Sequence, residues 1–316
     1  MGTNSTTDAV RASRAYGTQT IQRTALLLRL LTYHSRLGLR LVDLAAFSNL
    51  ERPTVHRMLH GLIEENLVVQ DQATKKYFLG PAVYEMGLAA TPKNHLRDIC
   101  QPHLHWVAAN TGVTVFLTVR SGFDGVCIDR KDGTPPMRVK TYVLDFDIGQ
   151  HRPLGMGTGC MAILSALPDR IVDGILAVNQ QRQVFAKESI TLKQLKQQIM
   201  ETRDKGYATR TLSADPRISA IGVAIPGEGR EPIGAVSIRG LSSRLTGRWR
   251  EQLVSILERT VTDIGIEVRK NVHDRGMQPF SPAAQQQPVS AHYAPSDLPG
   301  TASQSRVQWA SGAKSP

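Results

Sequence analysis

Between residues 20 and 79 the spacing of apolar residues changes in a fixed order, and that order limits the fold more than any other stretch of the chain. Residues 20–34 place Ile21, Ala25, Leu28 and Leu31 at helical spacing, with further leucines widening the stripe. Gly38 breaks that helix, and residues 41–47 form a short second one. Residues 48–51 (Ser-Asn-Leu-Glu) form a tight turn. Arg52-Pro53-Thr54 then opens a third helix, where Pro53 suits the first turn because its missing N–H needs no partner there. Val55, Met58, Leu59 and Leu62 share one face of this helix; Pro53, Thr54, His56, Arg57, His60 and Gly61 share the other. Two short β-like runs, 67–70 and 76–79, follow around a polar loop at 71–75. Helix, helix, turn, helix, hairpin is the order of a winged helix-turn-helix.

The outer face of the third helix suits a DNA groove. Thr54, His56 and Arg57 stand near its N-terminal end, where Arg can pair bidentately with guanine and Thr can reach a phosphate or a thymine methyl. Lys75 and Lys76 sit in the hairpin, where a wing meets the backbone. Arg23, Arg52 and His60 complete the candidate DNA-binding set. A plain three-helix subdomain with a solvated polar face is the blander alternative for any single helix, but not for the whole ordered pattern.

Composition narrows the remaining classes. The chain has 316 residues, 38 Lys and Arg against 27 Asp and Glu, and a net charge of +11, which favours a polyanionic partner. Hydrophobics at 41% exclude wholesale disorder. No apolar run approaches a membrane span, and the polar first twenty residues lack the apolar core of a secretory signal. Cys100, Cys127 and Cys160 lie too far apart for a disulfide framework or a zinc site, which fits a cytoplasmic protein with no metal and no cofactor. The scarcity of aromatics, 5%, argues against single-strand stacking platforms. No dinucleotide fingerprint, P-loop, HExxH or nucleophile elbow is present, so an enzyme is the weakest reading. A constitutive architectural DNA binder with a structural second domain is the stronger rival. Residues 1–18 and 272–316 read as disordered tails, the latter with six prolines and the run Gln285-Gln286-Gln287.

From residue 96 the pattern becomes mixed α/β. Helices are expected over 96–109, 158–167, 169–178, 192–205 and 247–270, and strands over 114–119, 125–129, 139–144, 207–212, 220–225 and 232–239. The last helix puts Trp249, Leu253, Ile256, Leu257, Ile264 and Val268 along its apolar face. The strand at 220–225 alternates Ala220, Gly222 and Ala224 with Ile221, Val223 and Ile225, leaving one face nearly bare, with room for something else. Ser237 and Arg239 share a face of the next strand. Gly157, Thr158 and Gly159 open a helix, and free N–H groups with the positive end of a helix dipole make an anion seat. Together these point to a small organic acid. Close packing and a solvated strand edge are the alternatives.

The motifs at 20–23 (Thr-Ile-Gln-Arg), 41–45, 53–59 and 76–80, in that order and spacing, resemble the DNA-binding domain of IclR-family transcription regulators. Pro53 departs from the Ser often found before the Thr. Residues 153–162 (Pro-Leu-Gly-Met-Gly-Thr-Gly-Cys-Met-Ala), 206–208 and 233–240 resemble landmarks of that family's GAF-like effector domain. The resemblance covers about residues 18–270. It implies an α+β chain of two domains: a winged helix-turn-helix over 19–80, a linker helix over 81–95 and a GAF-like α/β effector-binding domain over 96–271. It further implies a ligand-responsive regulator of a catabolic operon that reads a pseudo-palindromic operator as a dimer or dimer of dimers, with RNA polymerase as a further candidate partner. The positions resembling the family's small-acid contacts are Thr158, Gly159, Arg210, Ala220, Ser237 and Arg239. Members that sense very small acids tend to carry Asp, Cys and Ser where this chain has Arg210, Ala220 and Arg239. The two added cations favour an aromatic or dicarboxylic effector.

Overall fold

The computed structural model describes residues 5–35, 37–90, 96–133, 146–182, 190–212, 215–227, 229 and 231–275. The chain divides into two compact units at Ala89 and Ala90.

The first unit contains α1 (Ser5–Tyr33), α2 (Leu41–Ser48), α3 (Arg52–Glu64), β1 (Val68–Gln70) and β2 (Tyr77–Leu79). Leu27, Leu30 and Leu31 of α1 are buried with Leu44 of α2 and with Val55, Leu59 and Leu62 of α3. Local chemistry sets each boundary. The Arg40 N–H donates to the Asp43 carboxylate at 3.0 Å and starts α2. Asn49 ends α2 in the left-handed region at φ 53°. Gly38, at φ +61°, lies where any Cβ would come within 2.5 Å of the Phe78 ring, so only glycine fits. β1 and β2 pair antiparallel, Val68 opposite Leu79. α4 (Pro81–Ala90) follows them.

The α1 backbone is helical from Ser5, within the stretch 1–18 expected as a tail. The segment from Ser5 to Tyr33 contains no proline and holds several alanines, so nothing in its backbone chemistry stops the helix, polar as it is. The last helix likewise runs past the expected boundary at 271. The expected strand at 139–144, most of the C-terminal tail and the end of the linker lie outside the described residues.

The second unit contains α5 (Leu96–Thr111), β3 (Thr114–Ser121), β4 (Asp124–Lys131), β5 (His151–Pro153), α6 (Thr158–Ser165), α7 (Asp169–Gln181), α8 (Leu192–Lys205), β6 (Ala208–Leu212), β7 (Asp215–Ile225), β8 (Gly234–Leu241) and α9 (Gly247–Arg275). The six strands form one antiparallel sheet in the order β5-β4-β3-β8-β7-β6. Its side chains alternate between two faces. Val115, Leu117, Ile221, Val223, Val236 and Ile238 join Cys100 and Leu104 of α5 and Leu253, Leu257 and Ile264 of α9 in one core. A second core gathers Leu154, Ile163, Leu164, Ile175, Leu195, Ala208 and Ala235 under α6, α7 and α8. Trp249, expected on the apolar face of the last helix, is exposed, because that helix begins to pack only at Leu253.

Candidate functional site

In the first unit, the outer face of α3 is as the spacing predicts. Arg52, Pro53, His56, Arg57 and His60 are exposed, and Thr54 is half-buried at the first turn. Open space surrounds Gly61, which keeps the middle of the helix narrow. His60 Nδ1 lies 3.2 Å from Glu64 Oε1 one turn on. Arg23, on α1, is half-buried.

The wing is more ordered than its polar sequence suggests. The Asp71 carboxylate accepts from the Thr74 N–H at 2.7 Å and from its hydroxyl at 2.6 Å. These bonds hold the Asp71 carboxyl below the usual carboxylate range. Lys75 sits at φ +57° and donates to Gln72 Oε1 at 3.2 Å. Lys76 donates to the Leu37 carbonyl at 2.8 Å, tying the wing to the turn after α1. The two lysines therefore do different jobs: Lys75 stands at the tip, whereas the Lys76 ammonium is engaged within the fold.

In the second unit, the strand register brings the expected ligand positions together. Arg210, Ala220, Arg239 and Thr114 stand opposite one another across β6, β7, β8 and β3. Two residues along, Ala208, Gly222, Ser237 and Phe116 form the next row. α6 lies on this face. Its first turn comes so close that a Cβ at Gly222 would stand 2.6 Å from the Thr158 carbonyl. The bare stripe of β7 is thus filled at Gly222 by α6 itself, which corrects the expectation that it leaves room for a ligand there.

The N-terminus of α6 is held over polar groups. A Cβ at Gly159 would stand 3.0 Å from Thr118 Oγ1 and 3.2 Å from Ser237 Oγ. Thr118 is fully buried and its Oγ1 makes no hydrogen bond, which is rare for such a group and costly where nothing binds it. Gly157, at φ +75°, caps the helix, and the Arg152 guanidinium lies within 3.0 Å of where its Cβ would be. Arg239 is 8% exposed and lies over the Phe116 ring at 4.9 Å. Arg152 lies over Phe146 at 4.6 Å, and the two rings meet at 6.0 Å. On the other side of α6, Gly157, Thr158 and Arg210 line a small open cleft with Gln198, Glu201, Lys205 and Tyr207.

The loop before α6 is locked from α7. The buried Asn179 amide donates to the Phe123 and Leu154 carbonyls, each at 3.3 Å. Its oxygen accepts from Arg182 at 3.0 Å, and Arg182 grips both oxygens of Asp124 at 2.9 and 3.2 Å.

Sequence reasoning missed Phe116, Thr118, Phe146, Arg152 and the α8 side of the cleft. The alternation of Thr114, Phe116 and Thr118 with Val115, Leu117 and Val119 marks two faces of β3. Nothing in the sequence says that β3 pairs with β8, and that pairing is what sets Phe116 beside Ser237. The three cysteines are buried, with thiols pushed up by that burial, those of Cys127 and Cys160 to about 12. Among the described residues there is no cluster that could hold a metal and no helix long and apolar enough to cross a membrane.

The chain thus carries a winged helix-turn-helix and a separate α/β unit with a helix terminus seated on an antiparallel sheet, the two-domain plan of a transcription regulator. Residues 20–72 match the IclR helix-turn-helix domain, and residues 88–266 match the domain described as bacterial transcriptional regulator IclR C-terminal. The chain belongs to the IclR family. It is 28% identical over 280 residues to the DNA-binding transcriptional repressor YiaJ of Escherichia coli, covering 87% of this chain and 96% of that one. It is 24% identical over 235 residues to the HTH-type transcriptional regulator KipR of Bacillus subtilis, covering 74% and 90%. An IclR homologue from Microbacterium hydrocarbonoxydans, solved in complex with 4-hydroxybenzoate, superposes with a TM-score of 0.60 at 17% identity, covering 79% of this chain and 99% of that one.

Proposed function

We propose that this regulator responds to a small organic acid seated at the N-terminus of α6, and that the acid alters DNA reading by the outer face of α3. The observation that carries the acid reading is the meeting of Gly159, the unsatisfied Thr118 hydroxyl and Ser237 beneath a helix N-terminus, with the buried Arg239 in the next row. Oriented hydroxyls, a helix dipole and a cation together favour an anion. Thr158 and Gly157 supply the helix terminus, and Arg210 and Ala220 extend the same row. The 4-hydroxybenzoate held by the Microbacterium homologue is a carboxylate of this general kind.

DNA is read by Arg57, His56 and Thr54 in a groove, with Arg52, His60, Arg23 and Lys75 against the backbone. The chain works in the cytoplasm on a pseudo-palindromic operator, as a dimer or a dimer of dimers, since twofold symmetry in the protein matches twofold symmetry in the site. It controls a catabolic operon, and RNA polymerase is a further partner. A constitutive architectural binder would have no use for a built anion seat. The test is thermal melting of the full chain across a panel of metabolic carboxylates, in the parent and in Ser237→Ala. A binder of the native state raises the melting temperature. An acid that does so in the parent and less in Ser237→Ala supports the reading; no shift from any acid contradicts it.

A further inference from the structure

Resting on that acid-binding reading, we propose that the effector is a dicarboxylate and that Arg152 is the residue that selects it. A single carboxylate at the α6 terminus is matched by Ser237, the helix dipole and Arg239. One bidentate guanidinium completes a carboxylate's needs. The same face of the sheet nevertheless brings further arginines, and their surroundings differ.

Arg130 is engaged: its Nε and Nη2 both donate to Asp132 Oδ1 at 3.0 Å. Arg210 opens onto the cleft beside α8. Arg152 is different. It stands opposite Gly125 on β4. A Cβ at Gly125 would meet Cys160 Sγ at 2.6 Å, so this row faces α6. Among the described residues no carboxylate lies within ion-pair distance of Arg152, although the group is only half-exposed. Its guanidinium rests on Phe146 at 4.6 Å while that of Arg239 rests on Phe116 at 4.9 Å. The two rings touch at 6.0 Å and form one apolar cluster with Cys127. Arg130 also reaches the Phe116 ring, at 5.6 Å, but its charge is met by Asp132; Arg152 and Arg239 each rest on their own ring of a shared aromatic base.

That arrangement fits two separated negative groups joined by an apolar body. A compact dianion such as a phosphate ester places both charges on one centre and reaches one guanidinium. A monoacid leaves Arg152 without an anionic partner among the described residues.

Calorimetric titration of the full chain with matched acids tests the proposal: butyrate against glutarate, and 4-methylbenzoate against benzene-1,4-dicarboxylate, with a phosphomonoester, phenyl phosphate, as a further arm. The expected result is at least tenfold tighter binding of a dicarboxylate than of its matched monoacid. Arg152→Gln should lower dicarboxylate affinity at least tenfold and monoacid affinity less than twofold, with a melting temperature close to the parent's. Equal affinities within each pair, or equal losses of both in Arg152→Gln, overturn the proposal. If those equal affinities still fall in Ser237→Ala, the acid site stands without the dicarboxylate. Preference for phenyl phosphate overturns it too. Binding of none of these acids overturns the proposal and the acid-binding reading together.

Discussion

Gly222 on β7 stands directly beneath Thr158, the first residue of α6: a Cβ at 222 would lie 2.6 Å from the Thr158 carbonyl carbon and oxygen. This contact fixes the height of the helix terminus over the sheet, and with it the spacing of Gly159 from Thr118 and Ser237. Gly222→Ala must push α6 away or bend β7. Overpacking of this kind costs about 1–3 kcal/mol. A melting temperature several degrees below the parent's, with weaker acid binding, is expected in a thermal-shift titration; parental values for both would show that α6 rides freely.

Arg57 stands exposed on α3 while its neighbours Val55 and Leu59 are buried. Arg57→Ala should therefore leave the melting temperature in place and weaken operator binding. Loss of a base contact costs about 1–3 kcal/mol and relaxes specificity at one position. Gel-shift titration measures both.

The two wing lysines should separate experimentally. Lys75→Ala removes a charge from the tip of the wing and should flatten the logarithmic salt dependence of DNA binding by about one unit, for all sequences alike. Lys76→Ala removes the hydrogen bond to the Leu37 carbonyl and should lower the melting temperature as well. Salt-dependent affinities and melting curves on both variants decide this.

How much of this could be read in the sequence depended on whether the signal was local. The outer face of α3 was legible residue by residue, because helical spacing alone decides which of Val55, His56 and Arg57 is buried. The alternation in β7 was legible too, but not what filled its small side: that required knowing that α6 returns over Gly222. Arg152 and Phe146 were illegible, since β5 is three residues long and Phe146 lies just past the end of the strand expected at 139–144. Their place beside Gly157 and Phe116 is set by tertiary contacts.

His34 stacks on Phe47 at 5.5 Å, and burial lowers its pKa from the ordinary 6.5 against a smaller opposing effect of Asp43. Because the folded value lies below the unfolded one, His34 costs nothing above about pH 6.5, and the fold loses stability as pH falls from there through the folded value. His34→Phe should blunt that loss. Melting curves between pH 8 and pH 5 should converge at the alkaline end and separate at the acid end; parallel curves would contradict the burial of His34.

The three thiols are buried, and thiolate is the reactive form, so native protein should resist iodoacetamide at pH 8 and take it up at all three sites once unfolded. Mass spectrometry of labelled samples counts the modified sites.

Selection of duplexes from a random library by the full chain, with Arg57→Ala run in parallel, tests the central claim most directly. The account predicts an enriched pseudo-palindromic motif for the parent, relaxed at one position in each half-site for Arg57→Ala. Enrichment of no motif, or of one motif shared unchanged by both proteins, would contradict DNA reading by the outer face of α3.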